Sequence, residues 1–187
     1  MRVLFVFVCL VLWAGAASGQ TRIDVNYLGE RKYTFYLQFT VPASRESVYA
    51  LLTDYNHLHR LNQSIKSSEQ VRQIAADTTR VKMLAEACVL VFCKQVTLVE
   101  DVKVVEPEAQ LRSEAVPFLS DVESAQTTWW ISTKGNGTQI TCESAVQFKF
   151  WAPPLIGPLA IRHALRKNVT QTIESIRQLT STESGSS

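Results

Sequence analysis

The feature that most constrains the fold is the last long run of the chain, from Pro153 through Leu179. Apolar residues recur there at Leu155, Leu159, Leu165, Val169, Ile173, Ile176 and Leu179, mostly three or four apart, which is the period of one helix face. Pro153 and Pro154 sit where a first helical turn tolerates them. Gly157 and Pro158 let the regular helix begin as late as Leu159, with Trp151 to Gly157 as an apolar lead-in. A stripe of that length has to be covered. Most of what precedes it reads as strands with one oily face, which need covering in turn.

Before those strands comes a targeting pattern. Met1-Arg2 gives a short positive start, Val3 to Trp13 an apolar run, and Ala14 to Gly19 a small-residue region where a signal peptidase would cut. The run is short for a bilayer span, so residues 1–19 are expected to be a signal peptide and the mature protein to be exported, periplasmic or secreted; the alternative is an uncleaved membrane anchor. The remaining chain has the size of one domain: an N-terminal extension over 20–32, a folded unit over 33–179 and a disordered Ser/Thr/Gly-rich tail over 180–187. Lys and Arg number 19 against 17 Asp and Glu, so no charge excess argues for a nucleic-acid partner.

Tyr33 to Val41 alternates Tyr33, Phe35, Leu37, Phe39 and Val41 with polar or smaller neighbours, the period of a half-buried strand. After Pro42, Ser44 can cap a helix bearing Val48, Leu51 and Leu52. Asp54-Tyr55-Asn56 breaks into a second short helix with Leu58 and Leu61. Six further strands follow: Ile65 to Ile74, Thr79 to Ala87, Lys94 to Val105, Gln110 to Val116, Ser124 to Thr133 and Thr138 to Phe150, separated by short turns such as Gly135-Asn136-Gly137. Short connections make this an antiparallel meander.

The segment Phe39-Thr-Val-Pro-Ala-Ser-Arg-Glu-Ser-Val-Tyr-Ala-Leu-Leu-Thr-Asp-Tyr-Asn-His-Leu-His-Arg-Leu-Asn resembles the opening of START-like, or polyketide cyclase/dehydrase-like (SRPBCC), domains. The C-terminal amphipathic helix after a meander is similar too, so the resemblance spans about Tyr33 to Leu179. Where members usually carry a Trp-Pro pair, this chain reads Arg60-Leu61-Asn62-Gln63. The resemblance implies an α+β helix-grip fold: a curved seven-stranded antiparallel sheet around a long C-terminal helix, two short helices after the first strand, and an apolar cavity between sheet and helix. Its members bind lipids, quinones, sterols, polyketides or plant hormones, and some are enzymes. No cofactor is implied.

The residues support such a space on their own terms, because one helix cannot fill a concave sheet unless inward side chains are large. Alternation places Phe35, Leu37 and Phe39, Val81 and Met83 with Ala85, Leu98 and Val102 with Val104, Trp129 and Ile131, and Phe148 and Phe150 with Val146 on the inner face. Trp151, Leu155 and Leu159 complete the expected ligand-binding set from the helix side, as a rim and wall. Each of these residues also reads as ordinary core.

Cys88, Cys93 and Cys142 remain in the mature chain. Export would let Cys88 and Cys93 close a disulfide around Val89-Leu90-Val91-Phe92, leaving Cys142 free on an apolar strand face; the alternative is three unpaired thiols. An apolar hairpin tip at Val89 to Phe92 would offer contact to a membrane or partner. The lead-in at Trp151, followed by Arg162, Arg166 and Lys167, offers peripheral contact with anionic lipid.

Catalysis is poorly supported. His57 and His59 lie two apart and share no helical face, and no metal-ligand spacing is present. Glu143 points away from the inner face, whereas Glu100 shares the parity of Leu98 and Val102 and is the inward carboxylate that could serve as a general base. Three functions are therefore in view: a noncatalytic carrier or sequestering protein for a hydrophobic small molecule or lipid, a docking module acting through the hairpin tip, and a cyclase- or dehydratase-like enzyme.

Overall fold

Period-two alternation and short turns build a single antiparallel sheet, and the 3.6-residue stripe builds the helix laid on it. The computed structural model describes residues 20–89, 92–106, 109–150 and 157–184, with the backbone alone at 87–89, 92 and 182–184. In order the elements are β1 (Arg22–Gly29), β2 (Lys32–Val41), α1 (Arg45–Thr53), a 3-10 turn (Leu58–Arg60), β3 (Ile65–Ala75) and β4 (Thr78–Val89). Then come β5 (Phe92–Val105), β6 (Gln110–Ala115), a second 3-10 turn (Pro117–Leu119), β7 (Val122–Lys134), β8 (Gly137–Phe148) and α2 (Gly157–Ser184). The sheet runs β1-β2-β8-β7-β6-β5-β4-β3, with every neighbouring pair antiparallel.

The sheet has eight strands, where the sequence pattern suggested seven. The extra one is β1, inside the stretch expected to be an extension. It pairs with β2 from Arg22↔Gln38 to Gly29↔Lys32 through a turn that holds Gly29, Glu30 and Arg31 at positive φ. Gly29 takes that conformation without strain; Glu and Arg do so as uncommon left-handed residues, which hid the turn from a sequence reading. The expected second short helix is likewise a single 3-10 turn. Three residues carrying one Leu cannot nucleate a longer helix unaided, and the Leu58 N–H is taken by the Ser68 hydroxyl at 3.0 Å.

Ser44 caps α1 by accepting from the Ser47 N–H at 3.1 Å. Buried Thr138 donates to the Ala43 carbonyl at 2.7 Å, fastening the start of β8 beneath α1. Gly137 is needed there because a Cβ would press into the Val41 carbonyl. Under α1 lies the packed core: Leu37, Phe39, Val41, Val48, Ile131, Ile140 and Cys142, closed from above by Val169, Ile173 and Ile176 of α2.

Helix α2 starts at Gly157 with Pro158 in its first turn, where a missing N–H costs nothing. It continues to Ser184, so the tail expected from Thr180 onward is helical for its first part. Thr180 is 1% exposed, and its hydroxyl donates to the Ile176 carbonyl at 2.8 Å. This satisfies the group that made the segment look polar. Leu159, expected on the cavity wall, is instead exposed. It lies six residues before Leu165, about 120° off the stripe at 3.6 residues per turn. Residues 1–19, which carry the expected signal peptide, lie outside the described residues.

Candidate functional site

The main contacts of α2 are with β1 and β2 near one edge of the sheet and with β4 near the other. Spanning between those supports, it leaves room over the central strands, and there lies a cavity of about 370 Å³. Its floor comes from β4 to β8, its roof from Leu165, Asn168 and Thr172 of α2, and its flank from Leu52, Tyr55, Leu58 and Leu61. Small inward side chains at Ala85, Ser113, Ala125, Thr127 and Ser144 keep it open.

Of the residues expected to contact ligand, Phe35, Val81, Met83, Leu98, Val102, Trp129 and Phe148 line this cavity. Leu37, Phe39 and Ile131 have the right parity but lie in the packed core under α1, at most 2% exposed. Phe150 stacks on Phe148 with ring centroids 4.8 Å apart, and the Lys94 ammonium sits over its ring. Trp151 and Leu155, read as the rim, lie outside the described residues, as do Leu90 and Val91 of the hairpin tip. β4 and β5 place Cys88 directly opposite Cys93 and Val89 opposite Phe92.

Polar groups in the lining fall into three sets. Thr127 and Ser144 hydroxyls bond each other at 2.8 Å across β7 and β8. Asn62 is buried and fully engaged. Its amide donates to the Asn168 carbonyl at 2.9 Å and to the Thr172 hydroxyl at 3.0 Å, while its own oxygen accepts from the Ser64 N–H and hydroxyl. This clamp ties the turn after α1 to the middle of α2.

Glu100 of β5 forms the third set with Ser113 and Tyr55. Burial pushes its carboxyl up to about 7, partly offset by a hydrogen bond with the Ser113 hydroxyl. Burial likewise drives the Tyr55 phenol up to about 12, with Tyr49 and the Glu100 charge adding to the effect. Cys142, the free cysteine among the described residues, has its thiol raised well above the usual value by burial first and then by Glu100 and Glu143. Among the described residues the lining contains no Lys, Arg or His. His57 instead lies outside the cavity, exposed, its Nδ1 2.8 Å from the Asp54 carboxylate, and no three His, Cys, Asp or Glu side chains converge among the described residues.

Sequence reasoning placed Leu165 on the helix stripe facing the cavity but missed Tyr55, Ser113, Val96 and Leu111, and Asn168 and Thr172 of α2. Strand parity carried a signal for three of them: Leu111 and Ser113 alternate with outward neighbours on β6, and Val96 precedes Leu98 by two. Tyr55 had none, since it sits in a turn.

A long helix gripped by an antiparallel sheet over an apolar cavity defines the START-like class of hydrophobic-ligand folds. The profile described as "Polyketide cyclase / dehydrase and lipid transport" matches residues 32–180, and the chain belongs to that family. A search of curated proteins by sequence finds no significant match. Among solved structures, a protein from Thermus thermophilus is similar at TM-score 0.66 and 21% identity, covering 82% of this chain and 99% of that one. The Zhui aromatase/cyclase from Streptomyces matches at TM-score 0.67 and 10% identity, over 80% and 94%. A STAR-related lipid transfer protein from Xanthomonas axonopodis matches at TM-score 0.62 and 13% identity, over 86% and 97%. At these identities the likeness is one of fold.

Proposed function

We propose that the protein binds a hydrophobic small molecule or lipid in the cavity beneath α2 and carries or sequesters it outside the cytoplasm without altering it. The observation that carries this reading is the cavity itself: about 370 Å³, floored by apolar side chains and roofed by one helix, the kind of concave, mostly apolar space in which small ligands are held. Export rests on the pattern of residues 1–19. A Cys88–Cys93 bridge belongs to the same proposal, supported by their direct opposition across β4 and β5 and by the short Cα separation such cross-strand pairs have. Native mass spectrometry of the mature protein, followed by solvent extraction, tests the binding. A bound hydrophobic species of defined mass is expected; protein that remains empty after exposure to extracts and hydrophobic probes would refute it.

Glu100 favours a second reading, acid/base chemistry of the cyclase or dehydratase kind. A carboxyl near 7 facing a mostly apolar cavity can give or take a proton at neutral pH. Recovering the ligand unchanged after prolonged incubation supports the carrier. Conversion that is lost in Glu100→Gln supports the enzyme.

A further inference from the structure

Glu100 is, among the described residues, the sole charged side chain of the cavity lining. Its surroundings supply hydrogen bonds and no positive charge. On β6, Ser113 bonds its carboxyl, and Ala115 is its cross-strand partner. On β4 the partner is Val81, while Arg80 and Lys82 on either side of Val81 are committed elsewhere, to Asp101 at 2.7 Å and Glu69 at 3.3 Å. From the turn after α1 the Tyr55 phenol interacts with it, and from β8 the Cys142 thiol does, both protonated at neutral pH. From α2, among the described residues, Leu165, Asn168 and Thr172 reach the cavity. The Thr172 hydroxyl donates to the Asn168 carbonyl, and both oxygens accept from Asn62.

Building on the ligand-binding reading above, we propose that the cavity sorts ligands by charge: it takes hydrophobic molecules whose polar group is neutral or cationic and rejects anionic amphiphiles, with Glu100 as the selecting group. A hydroxyl, carbonyl or amine placed at Glu100 gains a buried hydrogen-bond or ion-pair partner. Once Glu100 is ionised, above about 7, a carboxylate or phosphate there meets a like charge, with no cation among the described lining residues to offset it, in a medium where charge interactions are poorly screened.

The test is a titration of the wild-type protein and Glu100→Gln with dodecanol, dodecylamine and dodecanoate, which share one chain length and differ in head group, at about pH 8 where the carboxyl is ionised. The amide keeps the shape and the Ser113 bond, and a thermal melt verifies its fold. Wild type is expected to bind dodecanol and dodecylamine at least about tenfold more tightly than dodecanoate, and the variant to bring dodecanoate within about threefold of dodecanol. Equal binding of dodecanoate and dodecanol by wild type, or discrimination that survives in Glu100→Gln, overturns the inference while leaving the cavity reading intact. Failure of every probe on both proteins overturns the cavity reading itself, and this inference with it.

Discussion

The two halves of the sheet's inner face have the same alternation and opposite contents. Under α1, Phe39, Val41, Val48, Ile140 and Ile176 have no exposed surface, and large side chains from sheet and helices meet. Beyond it the inward positions pass to Ala85, Ala115, Ser113, Ala125, Thr127 and Ser144, with Val96, Leu98, Val146 and Phe148 packed only in part. What separates core from cavity is therefore side-chain volume and the distance to α2, not hydrophobic pattern. One half holds the fold together and the other is free to hold something else.

That contrast can be broken by substitution, starting where the loss should be largest. Phe39→Ala, in the filled half, removes a fully buried ring and is expected to cost about 3–5 kcal/mol in urea unfolding; a loss below about 1 kcal/mol would show that this half is not the packed one. Next comes Glu100. Its carboxyl titrates at about 7 in the fold against an ordinary 4.5, so between those values the native protein holds a proton that the unfolded chain has released. Its contribution is fully present below 4.5 and drains away as pH rises through about 7, a loss of up to about 3 kcal/mol. Urea midpoints should thus fall from about pH 5 to pH 8 in wild type and lose that component in Glu100→Gln; parallel slopes would contradict a desolvated carboxyl. The smallest stability effect belongs to the hollow half. Ala85→Phe adds a ring where there is room, so stability should shift by less than about 1 kcal/mol, while hydrophobic-probe binding drops at least about tenfold. A large destabilisation would mean the space is already filled.

Most of the meander was legible because its strands alternate cleanly and its turns carry Gly, Pro or Asn. The exceptions have identifiable causes. In β1 the alternation of Ile23, Val25 and Tyr27 was present, but the Glu30-Arg31 corner reads as no known turn signal. Thr180 looked like tail because its hydroxyl counted as polar, although a bond back to Ile176 lets it be buried. For the site, parity found Glu100, Met83 and Trp129 and misplaced Leu37, Phe39 and Ile131. Parity says which face a residue occupies; whether that face meets a helix or empty space depends on where α2 comes to rest.

That resting place has a further consequence. A helix pressed onto the packed half of the sheet by Val169, Ile173 and Ile176 and tied along its middle by Asn62 does not lean on the side chains that floor the cavity. Side chains of that floor can then change without disturbing the contacts that hold α2, so this architecture separates the residues that must be kept from those that can be retuned. A new ligand preference would need only a few exchanges on the central strands, and the building would stand while the room was refurnished.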